Sequence, residues 1–185
     1  MYKNHYDEFK EKIEQLNNET SFYLKEIKDL VSQKKQKQKM NMISYFTYSF
    51  RISYEKEQES LIIGTYHIHN IGNKLLSNPY ICIKLSPDSP FTFSGKYVTK
   101  KTNLSLNTPG AWERINEQTD KDEYWLRPIG KQTLEPDQII SFPNFQIKWL
   151  PKESYSGSIM GFTYCQEFKE GIPAVNQIYV NGTLK

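Results

Sequence analysis

His67 and His69 stand two apart in the run Tyr66-His67-Ile68-His69, a spacing that puts both imidazoles on one face of an extended chain. Two imidazoles on one strand face supply half of a tetrahedral zinc shell. The remaining histidine, His5, lies far upstream, and no Cys-x-x-Cys or His-x-x-x-His spacing provides further ligands. The pair is therefore read as exposed strand histidines, and no metal is expected. Asp120, Asp122 and Glu123 cluster before Tyr124, a grouping that could hold calcium or work as paired acids. Lys121 sits inside the cluster and no glycine shapes a ligand loop, which favours a solvated turn. No G-x-S-x-G elbow, Gly-rich phosphate loop or H-E-x-x-H helix occurs. No catalytic residue and no cofactor are expected, and a metal-dependent enzyme built on the two histidines ranks last among the functions considered.

Aromatic side chains are the other residues able to do chemistry, by stacking on sugars or anchoring a protein partner. Trp112, Tyr124 and Trp125 form the candidate ligand or partner patch, with Trp112 and Trp125 at its centre. Adjacent strand residues point opposite ways, so one of Tyr124 and Trp125 fills a core while the other faces out. Trp149 is considered with them as a ligand-binding aromatic, the alternative being that it fills that core.

The elements that must position these residues begin with the stretch 61 to 86. Ile62, Tyr66 and Ile68 fall on one face at period two, with Gly64 interrupting the row and Thr65, His67 and His69 opposite. Gly72 and Asn73 are expected to supply the positive φ of a reversal. From Tyr80, Ile81, Ile83 and Leu85 alternate with Cys82 and Lys84, giving a second strand. Two strands need more strands to bury their apolar face.

Upstream, Tyr2, Tyr6, Phe9, Ile13, Leu16, Tyr23, Ile27 and Leu30 recur at alternating four-three spacing, with Thr20 at the one polar site. No Gly or Pro precedes Gly64. A heptad pattern without breakers predicts one amphipathic helix to about Lys39, roughly 55 Å long at 1.5 Å per residue. Tyr6, Phe9, Ile13, Leu16, Tyr23, Ile27 and Leu30 are the expected oligomerisation residues. Leu24 and Val31 widen the stripe, which suits a trimer, a larger bundle or a helix folded back on its own domain. The run at 33 to 39 holds four lysines and no acid. It is read as a solvated helix end that complements the helix dipole, and nucleic-acid contact is not expected.

Beyond Asn41 the period shifts from 3.5 to 2. Met42, Phe46, Tyr48, Phe50, Ile52 and Tyr54 share one face of a long strand, which places a domain boundary at 40/41. Further strand pieces are expected at 91 to 93, 112 to 115, 124 to 129, 139 to 142, 145 to 149, 158 to 166 and 175 to 180. In the piece at 158 to 166, Met160, Phe162 and Tyr164 are taken as inward-facing. Turn signals every 8 to 15 residues without intervening helical pattern predict a mainly β, antiparallel sandwich of about seven to nine strands at 41 to 185. The segment NIGNKLLSNPYICIKLSP and the later LEPDQIISF resemble the immunoglobulin-like sandwich modules of bacterial surface and adhesion proteins. That resemblance implies the fold and a binding or structural role.

The 185 residues allow one ordinary domain and an appendage. Cys82 and Cys165 are read as buried free thiols of a reducing compartment. With 24 basic against 21 acidic residues, the net charge of +3 builds no strong field for nucleic acid or membrane. No apolar run suits a signal peptide or a membrane span. The expected location is cytoplasmic, with association to a phage virion or spore left open. The expected function is a non-catalytic assembly or interaction protein, homo-oligomeric through its helix and recognising a protein partner through its sandwich. The alternative is a carbohydrate or small-ligand binding sandwich using the aromatic patch.

Overall fold

A computed structural model describes residues 2–36, 41–55, 57–99, 110–117, 119–151 and 154–183, with helix side chains described from Glu8 to Val31. The chain divides into two compact units, Met1–Gln38 and Lys39–Lys185. The first is a single helix, α1 (Tyr2–Gln36). Within it Phe9, Ile13, Leu16, Tyr23, Leu24, Ile27, Leu30 and Val31 all stand exposed. Thr20 turns its hydroxyl back onto the Leu16 carbonyl at 2.7 Å, which satisfies a polar side chain within the apolar stripe. The side chains of Tyr6 and of the basic run at 33 to 39, and the expected helix end near Lys39, lie outside the described residues.

The second unit is all β: β1 (Met42–Arg51), β2 (Ser60–Asn70), β3 (Leu76–Ser77), β4 (Tyr80–Leu85), β5 (Thr92–Ser94), β6 (Tyr97–Thr99), β7 (Trp112–Arg114), β8 (Glu123–Pro128), β9 (Thr133–Leu134), β10 (Ile139–Trp149), β11 (Ser154–Cys165), β12 (Phe168–Pro173) and β13 (Ile178–Thr183). One sheet runs β1-β2-β10-β5. The facing sheet runs β12-β11-β4-β8-β7-β6, with β13 also on β11, and β3 pairs with β9 apart from both. Every pairing is antiparallel except β6 with β7.

Lettered as an immunoglobulin domain, β1, β2, β10 and β5 take the places of A, B, E and D, while β4 and β11 are C and F and β12 and β13 share G. The departure is one of order: the chain crosses to the D position before returning to lay β8 beside β4. The fold is thus a mainly β, immunoglobulin-like sandwich preceded by a long helix.

The core lies between the sheets, and its buried members all come from Met42 onward. Phe46, Ile62, Tyr66, Phe142, Phe145 and Ile147 line one side, facing Ile81, Ile83, Tyr124, Leu126 and Ile159 on the other. Tyr66 reaches across the gap: its hydroxyl donates to Ser44 Oγ at 2.9 Å and shares a 2.9 Å hydrogen bond with Thr163 Oγ1 of the facing sheet.

Three local expectations are corrected. On β11 the inward row is Ile159, Gly161, Thr163 and Cys165, while Met160, Phe162 and Tyr164 face out and are half-buried. The Tyr66 and Phe46 rings occupy the space where a Cβ on Gly161 would stand, so the strand offers its small residues inward. The reversal after β2 does not rest on positive φ at Gly72 or Asn73. Buried Asn70 holds it instead, donating to the carbonyls of Lys74 (2.7 Å) and Leu134 (2.9 Å) and accepting from Gly72 N–H (3.0 Å). The pieces either side of Pro143 form one strand, β10, whose pairing to β2 shifts between Phe142 and Phe145, with Asn144 at φ 56°.

Candidate functional site

The outer face of the second sheet is where outward side chains gather. Tyr80 on β4 lies directly opposite Tyr164 on β11, and their rings stack with centroids 5.0 Å apart and 8° between planes. Trp125 on β8 is opposite Cys82, one step along β4, so its indole reaches diagonally to both phenols, 5.1 Å from Tyr164 and 6.1 Å from Tyr80. The small Cys82 side chain between Trp125 and Phe162 leaves room for this approach. Gly171, within β12 at φ 79°, stands against the Tyr164 ring, where a Cβ would collide.

Polar groups fix one edge of this platform. Trp125 Nε1 donates to Glu123 Oε2 at 3.0 Å, and Lys84 Nζ donates to Glu123 Oε1 at 2.8 Å. The hydrogen bonds from Lys84 and Trp125 hold the Glu123 carboxyl below its ordinary range, and the bond to Glu123 raises Lys84. Burial pushes the Tyr164 phenol up. Three half-buried rings with a tethered ion pair can stack on a planar or ring-shaped group and give it one charged neighbour at the side.

Of the candidate patch, Trp125 faces out, whereas Trp112 (2% exposed) and Tyr124 (8%) belong to the core. Trp112 packs edge-on to Phe142 and donates its indole N–H to the Ser141 carbonyl at 3.0 Å. Tyr124 lies 4.4 Å from Phe93 across the sandwich and carries the Arg114 guanidinium 4.4 Å above its ring. Parity separates them: Trp112 and Tyr124 both point inward, so neither can join Trp125. Tyr80 and Tyr164, its actual neighbours, follow from strand register, which composition alone does not reveal. Trp149 is buried in the core.

The acidic cluster is organised around Arg114, which is buried. Its guanidinium donates to Asn116 Oδ1 and toward the main-chain carbonyls of Glu117, Asp120 and Glu123. A cation is already built into that loop. Cys82 and Cys165 are buried free thiols, pushed by burial up to about 12 and about 11.

His67 stacks on Tyr45 at 4.9 Å, and both of its ring nitrogens meet hydroxyls at 2.9 Å: Ser141 Oγ at Nδ1 and Thr47 Oγ1 at Nε2. Burial lowers its pKa. Among the described residues no three His, Cys, Asp or Glu side chains come together as a metal site. Among them, no helix is long and apolar enough to cross a membrane.

No protein-family model and no curated protein matches the sequence. Solved structures resemble the sandwich. A cohesin module from a Clostridium perfringens family 33 glycoside hydrolase is 9% identical with TM-score 0.39, covering 78% of this chain and 98% of its own. An uncharacterized protein from Nocardia farcinica with an immunoglobulin-like fold is 13% identical with TM-score 0.38, covering 76% and 97%. A FixG-related protein from Vibrio parahaemolyticus is 12% identical with TM-score 0.36, covering 78% and 96%. The likeness is one of strand arrangement and brings no residue role to this chain.

Proposed function

We propose that the protein is a non-catalytic assembly and interaction protein: α1 gathers copies, and each sandwich presents the Tyr80, Trp125 and Tyr164 platform to a partner. The observation that carries this is the stripe on α1. A unit consisting of one helix has no second element of its own to cover Phe9, Ile13, Leu16, Tyr23, Ile27 and Leu30, all exposed. Apolar side chains repeating over several heptads are buried by packing against like helices. Gathering has a direct benefit for recognition, because weak single contacts add when several identical faces are held together. Light scattering on the full chain tests the reading. The native chain is expected to be oligomeric at micromolar concentration, and Leu16→Glu with Ile27→Glu to weaken association at least tenfold, while the near-ultraviolet signal of the sandwich stays unchanged. A native chain that scatters as a monomer across that range overturns it.

The platform also favours a second reading, a sandwich that binds a carbohydrate by ring stacking. Stacking of a sugar ring on this platform depends on the indole, so Trp125→Ala is expected to abolish retention on immobilised glycans in a chain that far-ultraviolet circular dichroism shows to be folded. Equal retention of the native and substituted chains removes this reading.

A further inference from the structure

The longest edge strand of the first sheet is β1, and its two halves are finished differently. In the first half, Val175 N–H donates to the Ser44 carbonyl at 2.8 Å. The Asn176 amide brackets Phe46, accepting from its N–H at 2.8 Å and donating to its carbonyl at 2.9 Å. These bonds mark the even-numbered residues of β1 as those whose backbone groups point away from β2. Pairing with β2 continues in register to Arg51, so the N–H and C=O of Tyr48 and Phe50 point the same way. Among the described residues none bonds to them.

The side chains tell the same story. The inward row of β1 is buried at Met42, Ser44 and Phe46, then opens to 43% exposure at Tyr48 and 66% at Phe50. A groove of ≈ 180 Å³ lies beside them, with Ile52 on the near wall and Ile178, Tyr179 and Val180 of β13 on the far one. Edges of this sort are normally guarded by a short strand, a charge, a proline or a bulge. β5 and β6 have three residues each, and β12 carries Lys169, Glu170 and Pro173. The stretch from Tyr48 to Phe50 has none of these.

We propose that this stretch pairs with the same stretch of a second copy, antiparallel about a two-fold axis through Ser49. The sequence Phe46-Thr47-Tyr48-Ser49-Phe50-Arg51-Ile52 is self-complementary by class, apolar at every even position and polar at every odd one. Under the two-fold, Tyr48 meets the partner's Phe50 as a doubly hydrogen-bonded pair, and Phe50 meets the partner's Tyr48 likewise. The one charge of the stretch, Arg51, stands two places from the axis and faces the partner's Thr47 instead of its own kind, avoiding a like-charge clash. So short an edge buries less than the roughly 1,200 Å² of an interface stable by itself. For its effective concentration the pairing therefore rests on the self-association proposed for α1, whereas its geometry rests on β1 alone.

Ser49→Cys in the full chain tests it. The Ser49 side chain is exposed, and on the axis it forms a non-hydrogen-bonded pair with its copy, at a Cα separation of about 4.5 Å that a disulfide spans. Arg51→Cys is the control, because its copies stand four residues apart along the strand, about 13 Å. Under mild oxidation Ser49→Cys is expected to link at least tenfold faster than Arg51→Cys, with buried Cys82 and Cys165 unreacted. Equal linking rates in a chain that light scattering shows to be oligomeric overturn the edge pairing and leave the role of α1 standing. Selective linking that persists in the Leu16→Glu, Ile27→Glu background upholds the edge and overturns the dependence on α1. A monomer in which neither position links overturns both.

Discussion

Tyr66 places a phenol hydroxyl in the middle of an aromatic core, fully enclosed, with Ser44 and Thr163 as its hydrogen-bond partners. Burial raises its pKa, so the group acts as a neutral bridge between the sheets. Removing the oxygen alone leaves the ring packing in place and strands two enclosed hydroxyls. Tyr66→Phe is therefore expected to cost about 1–3 kcal/mol. In urea the unfolding midpoint falls with little change in slope, as for a lost interaction in an unaltered fold. At this scale the sequence was legible where alternation is clean: Ile62, Tyr66 and Ile68 are inward as their spacing requires. The Tyr124 and Trp125 neighbours split as adjacent strand residues must. What could not be read was which large side chains yield to others. Gly161 and Thr163 turn inward because Tyr66 and Phe46 come from the opposite sheet to fill that space, a relation between residues distant in sequence.

Between elements, Lys84 on β4 and Glu123 on β8 are register partners as well as an ion pair, so their contact reports on strand pairing. The folded state lowers the Glu123 pKa, so around that pKa the unfolded chain binds more protons. The stabilisation is present above the unfolded carboxylate pKa and is lost as pH falls through the folded one. Both side chains are more than a third exposed, at 41% and 37%, so solvent screening limits the effect to at most about 1 kcal/mol. Urea midpoints followed from pH 7 to pH 3 are expected to fall less steeply for Glu123→Gln than for the native chain, and the difference to shrink in molar salt. Most strands here were readable from period two and turn residues. β12 was not, because Phe168–Pro173 has no apolar alternation: it pairs with β11 only in part and none of its residues is buried.

For the whole molecule, the sequence carries two kinds of order, heptads and then alternation, and the chain has two compact units, Met1–Gln38 and Lys39–Lys185. Loop chemistry suggested the immunoglobulin-like arrangement, yet the early crossing to β5 left no mark in composition. The platform was likewise only partly visible, since Trp125 could be named from its type while Tyr80 and Tyr164 joined it through pairings set by the global fold. In the proposed function number matters at this scale: one sandwich would offer one platform, and recognition would strengthen with the count of copies held together.

The strand order also sets a timetable. α1 closes only local hydrogen bonds, whereas β2, at the centre of the first sheet, takes β1 on one side at once and must wait for Ile139–Trp149 on the other. As the chain leaves the ribosome, its helix can form while the future centre of that sheet is still half bare. Copies drawn together that early would bring unfinished sheets into one another's company, and timely delivery of β10 decides whether each closes upon itself.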